Sequence, residues 1–218
     1  MSDILPGHQR VQSVGEELAN SVSHGIGLAA ALSSIPFLLL AAVRRGDPWA
    51  IASASIFASS VAFLYLISTL YHALGNNRAK RILQIMDHCA IYFLIAGTYT
   101  PFTLGVLRGM WGWTLFGMIW GLAILGVALK SLRGMKHPRL SMLLYLGMGW
   151  LAIVAIRPLW THLPVPGALL VVGGGLAYTA GVAFYAAEHR RYSHFVWHLF
   201  VLIGTSLHFL AVLWYSWI

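Results

Sequence analysis

Apolar residues in this chain neither alternate nor form stripes; they run continuously. Seven such runs, at 20–43, 48–73, 81–105, 111–129, 140–156, 164–187 and 194–217, are separated by short connectors that hold most of the charge. A hydrocarbon layer about 30 Å thick is crossed by about 20 helical residues at 1.5 Å each. Such a span must satisfy its backbone hydrogen bonds internally. The pattern therefore predicts an all-α membrane bundle of seven transmembrane helices over residues 20–218, preceded by a short N-terminal segment, 1–19. The fifth run is the shortest. Pro36 and Pro101 fall inside runs and should kink their helices, because each removes one helix hydrogen bond. Thr98 and Thr100, in GTYTPF at 97–102, are placed to satisfy freed carbonyls. Gly117 with Gly121, and Gly173 to Gly175, should allow close helix approach.

Composition strengthens this picture. Of 218 residues, 59% are hydrophobic and 9% charged, with mean hydropathy +0.75. A soluble domain carries about 25% charged residues. The formal charge of +8 would point to nucleic acid in a soluble protein, but here the basic residues sit in short loops, where they set orientation and meet lipid headgroups. Alternate loops are unequal, with 10 Lys and Arg on the N-terminal side and 4 on the other. By the positive-inside rule the N-terminus is expected in the cytoplasm and the C-terminus outside. The segment MSDILPGHQRVQSVGEELANS has no apolar core, so the first helix is expected to act as its own insertion signal. A single cysteine, Cys89, excludes an intrachain disulfide and is read as a small core residue.

Polar and ionisable groups within a span are costly and usually mark function. Sorted by depth, they converge. Ser68 and His72 end the second span, Asp87 comes early in the third, His194 and His198 open the seventh, and Glu17, Asn20 and His24 open the first. All belong to one layer near the expected cytoplasmic face. His194 and His198 are four residues apart, so they share a helix face about 6 Å apart along the axis. Two imidazoles so spaced can chelate one ion, and His72 at matching depth supplies a third. Three neutral imidazoles with an open position suit zinc. Without a metal, the same pair reads as boundary histidines.

Ser68 admits two readings: a hydroxyl bonded back to its own helix, or a group that holds water or polarises a carbonyl beside the metal. Asp87 also has two. It is an interfacial carboxylate paired with Arg81 or Lys80, or a base acting on zinc-bound water. His208 lies ten residues beyond His198, about 15 Å deeper, too far to share the ion. His88 points about 100° away from Asp87. His8, His137, His162 and His189 fall in the tail and loops.

On these residues the sequence resembles the hemolysin III family of bacterial membrane proteins. That family lies within the progestin and adipoQ receptor group and a wider set that includes alkaline ceramidases. The resemblance spans nearly the whole chain. It is carried by Glu17-x-x-Asn20-x-x-x-His24, Ser68-x-x-x-His72, Asp87 and Ser193-His194-x-x-x-His198. It implies a seven-helix bundle with a cytoplasmic N-terminus in the bacterial inner membrane. It also implies zinc on His72, His194 and His198, with Asp87 linked through water and Ser68 nearby. Relatives in that wider set are associated with hydrolysis of ceramide-like amides, and the bacterial branch with a haemolytic effect and with membrane lipid homeostasis.

The expected function is a zinc-dependent intramembrane hydrolase of a lipid amide or ester. Asp87 would be the base, Ser68 would help stabilise the oxyanion, and Glu17, Asn20 and His24 would support the ligands. A membrane lipid is the expected substrate and partner; nucleic acid is not. Two rivals remain: a membrane-stress or signalling protein with structural zinc, and a haemolysin that disrupts membranes. The second conflicts with the composition, since a secreted toxin must first be soluble. A transporter is a further option, but no broken-helix repeat is visible.

Overall fold

A computed structural model describes residues 10–134, 136, 138–187 and 189–217; His8 and His137 lie outside the described residues. The helices in order are α1 (Val14–Arg44), α2 (Pro48–Ala73), α3 (Arg78–Leu104), α4 (Met110–Arg133), α5 (Pro138–Gly149), a 3₁₀ segment (Leu151–Ala155), α6 (Ile156–His162), α7 (Val165–Ala186) and α8 (Ser193–Tyr215). Pro138–His162 acts as one crossing, so seven units are long and apolar enough to span a membrane.

The boundaries follow local chemistry. Helix α1 starts before the apolar run because Ser13 and Glu16 form a capping box. Asp47 accepts from the Trp49 N–H at 3.1 Å ahead of Pro48, and Asn77 accepts from the Lys80 N–H at 2.8 Å. The fifth crossing breaks after Gly149. There the Tyr99 hydroxyl donates to the Gly149 carbonyl and accepts the Ala152 N–H, both at 2.8 Å. Irregular backbone at membrane depth is tolerated when a neighbouring helix satisfies it in this way. Thr98 and Thr100 depart from expectation. They bond to the carbonyls of Leu94 and Ala96, each at 2.8 Å, rather than to that of Gly97, which Pro101 deprives of its partner.

Helices α1 to α4 pack in chain order, α7 packs on α8, and α8 returns to α1, with the fifth crossing between α4 and α7. Phe57, Leu64, Tyr65, Val201 and Val212 centre a core between α2 and α8, while Tyr92, Ile119 and Met148 centre another between α3, α4 and α5. Phe37, Ile124, Leu169 and Trp214 point outward, as a lipid-facing surface requires. A side chain at Gly117 or Gly121 would meet nothing within 4 Å among the described residues, so that pair faces away from the bundle. Gly97 does the opposite: a Cβ there would collide with the Ser60 side chain of α2. Gly97→Val should force α2 and α3 apart and cost about 1–3 kcal/mol, read as an earlier unfolding midpoint in detergent.

Candidate metal centre

The polar face of α1 brings Glu17, Asn20 and His24 together at positions i, i+3 and i+7. Across from it stand His72, in the last turn of α2, and His194 and His198, in the first two turns of α8. One nitrogen from each of His72, His194 and His198 lies within 4.8 Å of the others. Their ring centroids are 5.1, 5.0 and 4.7 Å apart. Residues more than a hundred positions apart in sequence thus meet in one layer.

Neighbours fix which nitrogens face inward. The His72 Nδ1–H donates to Glu17 Oε2 at 2.7 Å, and the His198 Nδ1–H donates to the Asn20 carbonyl at 3.2 Å, with Ser23 Oγ also at 3.2 Å. Each ring therefore presents Nε2 as a lone pair. His72 Nε2 and both nitrogens of His194 are buried with no hydrogen-bond partner among the described residues. Buried polar atoms are normally satisfied, and an ion is one standard reason for such orphans. The carboxylate behind His72 and the carbonyl behind His198 match how metal-bound histidines are oriented. The donor set fits a borderline-soft divalent cation such as zinc, which takes imidazole nitrogens at about 2.0–2.1 Å.

The carboxylates fall differently from one expectation. Lys80 does not pair with Asp87; its ammonium binds Glu17 Oε1 at 2.8 Å and the Leu74 carbonyl at 3.0 Å. Glu17 therefore joins a lysine on one oxygen to a histidine on the other. Asp87 is buried, stands outside the metal-capable trio and faces Ser68. His24 is not in the trio either. It stacks on His198 with centroids 3.5 Å apart and planes at 6°, and its Nδ1 lies 2.7 Å from Ser68 Oγ.

Three contributors escaped the sequence reading. Ser23 supports His198, and Gln12 accepts from the Asn20 amide at 2.6 Å. Glu16 binds Arg10 and accepts the Tyr192 N–H at 2.8 Å, tying the start of α1 to the start of α8. The hydrogen bond from Arg10 to the Glu16 carboxylate also raises the Arg10 guanidinium above its ordinary range. The capping signature around Ser13 could have revealed Glu16; nothing local marks Ser23. Of the remaining histidines, His88 bonds to the Gln84 carbonyl at 2.8 Å and to the Tyr185 hydroxyl at 3.3 Å, and His208 to the Val171 carbonyl at 3.0 Å.

The trio forms a partition. His72 and His194 line a polar vestibule of about 680 Å³ with Arg10, Glu17, Lys80 and Arg81. His198, His24, Ser68 and Asp87 cap an apolar chamber of about 120 Å³ walled by residues such as Leu64, Ile91, Leu94, Met142 and Val201.

Comparison with known proteins agrees in extent. The family model described as "Haemolysin-III related" matches residues 12–209. The chain is 43% identical over 203 residues to a hemolysin-3 homolog of Bacillus subtilis (strain 168), covering 93% of this chain and 95% of that protein. It is 42% identical over 204 residues to hemolysin-3 of Bacillus cereus, covering 94% and 93%. It is 27% identical over 178 residues to the human monocyte to macrophage differentiation factor, covering 76% and 71%.

Proposed function

This chain belongs to the haemolysin-III related family, and from that premise we propose that it is a zinc-dependent hydrolase of a lipid amide or ester. We place it in the bacterial cytoplasmic membrane, with the N-terminal end of α1 and the histidine layer on the cytoplasmic side. One observation carries the reading: three metal-capable histidines separate a polar vestibule from an apolar chamber, with a carboxyl and a hydroxyl on the chamber side. An amphiphile fits that division, with its chain in the chamber and its scissile carbonyl at the histidine layer.

His72, His194 and His198 would hold zinc, which when bound supplies a Lewis acid and makes a water acidic near neutral pH. Asp87 accepts a proton from the attacking water as that water adds to the carbonyl carbon, then returns it to the departing nitrogen or oxygen. The Ser68 O–H donates to the carbonyl oxygen as negative charge develops, while the His24 Nδ1–H fixes the hydroxyl from behind. Glu17 holds the His72 ring. Glu17→Gln weakens that grip, and zinc affinity measured by chelator competition should fall about 10- to 100-fold.

The test uses purified protein in vesicles that contain an N-acyl amide lipid or an acyl ester, with released fatty acid measured by mass spectrometry. Release from one class, lost on chelation and restored by zinc, is expected. Zinc-loaded protein that releases fatty acid from neither class would refute the proposal. A non-catalytic metal is the rival, and it draws on Asp87 lying outside the metal-capable trio.

A further inference from the structure

Beyond the histidine layer, the apolar chamber does not simply end. It shares Thr98, Tyr99, Gly149, Trp150, Gly175 and His208 with a second apolar chamber of about 130 Å³ that extends toward the C-terminal end of α8. These residues form a waist between two hydrophobic spaces.

Nearly every polar group at the waist is already engaged. Thr98 Oγ1 donates to the Leu94 carbonyl at 2.8 Å. Tyr99 OH donates to the Gly149 carbonyl and accepts from the Ala152 N–H. Trp150 Nε1–H donates to Thr179 Oγ1 at 3.0 Å, and that hydroxyl donates to the Gly175 carbonyl at 2.7 Å. His208 is the exception. Its Nε2–H donates to the Val171 carbonyl at 3.0 Å, which fixes the neutral tautomer with a lone pair on Nδ1. That Nδ1 is buried and has no partner among the described residues. The ring is seated with care: a Cβ at Gly174 would strike it, so α7 carries a glycine where the imidazole packs.

A lone pair held in an apolar space is costly unless a donor reaches it. A water there would need two to four polar partners, and the surrounding donors are spent on one another. An O–H carried on the ligand itself meets the need directly. We propose that His208 Nδ1 is the acceptor for a hydroxyl part-way along a lipid chain, so that the site selects chains hydroxylated far from the carbonyl. The inference rests on the reading of the chamber as a lipid-chain site. His208 lies ten residues beyond His198 on α8, which puts the hydroxyl about 15 Å from the histidine layer, roughly a dozen carbons along an extended chain.

The experiment measures binding rather than hydrolysis, so its outcome is separable from that of the enzymatic reading. Purified protein in detergent is titrated with octadecanoic acid, with the same acid hydroxylated mid-chain, about a dozen carbons from the carboxyl, and with the acid hydroxylated next to the carboxyl, following Trp fluorescence. Wild type should bind the mid-chain hydroxy acid about 10-fold more tightly than the other two, the range of one neutral hydrogen bond. His208→Leu should lose the preference while binding octadecanoic acid within about twofold of wild type. His208→Gln, which keeps an acceptor, should retain part of the preference. Equal binding of all three acids by wild type, or a preference that survives in His208→Leu, overturns the proposal. A preference in a protein that hydrolyses nothing would leave this inference standing and remove the enzymatic one.

Discussion

His198→Ala, purified in detergent, is expected to contain almost no zinc where wild type carries about one ion per chain. The substitution removes one of three imidazoles and leaves His72 and His194, a pair that gives too few ligands for a closed or catalytic zinc site. Altering a residue that only supports a ligand typically costs 10- to 100-fold in metal affinity. Deleting the ligand itself should exceed about 100-fold. The loss should be structural as well, because His198 bonds to the Asn20 carbonyl and stacks on His24, which joins α8 to α1. His208→Leu is the control: it removes another buried histidine of the same helix, and it should retain the ion. Elemental analysis of the two variants beside wild type decides the matter. Equal zinc in wild type and His198→Ala would mean that the trio is not the metal site, and equal absence that there is none.

The layer of polar residues was legible because depth in a membrane can be counted. Consecutive spans run in opposite directions, so residues near 20, 72, 87 and 194 share a level whatever their packing. Spacing did the rest for His194 and His198, since i and i+4 define a face on any helix. What depth cannot give is rotation about the helix axis. Lys80 was open to pairing with Asp87, yet it turns toward Glu17 because α1 crosses the end of α2 beside it. Ser23 gave no sign, as a lone serine among apolar residues usually bonds to its own helix; it does so here at 2.8 Å to the Asn20 carbonyl, and it also touches His198. The broken fifth crossing was visible only as a weak apolar run. Its repair by Tyr99, some fifty residues away, depends on tertiary packing.

The same distinction separates what the histidines can establish from what Asp87 can. Asp87→Asn should keep its zinc and its fold while hydrolysis of the lipid amide or ester falls about 10²- to 10⁴-fold, the usual contribution of a positioned general base. The amide is close to isosteric, so the cavity wall beside Ser68 is preserved, and the trio loses none of its own nitrogens. Only proton acceptance is removed. The carboxyl is buried at the head of an apolar chamber, away from Lys80, with Ser68 as its hydrogen-bond partner and no salt bridge to it among the described residues. The proposed proton-transfer role would use an acid kept in such a place. Zinc content, an unfolding curve and fatty-acid release must therefore be measured on the same preparation. Intact zinc and full turnover in Asp87→Asn would leave the carboxyl without a catalytic task. Intact zinc with no turnover in either protein would favour a structural metal in a membrane protein that performs no hydrolysis.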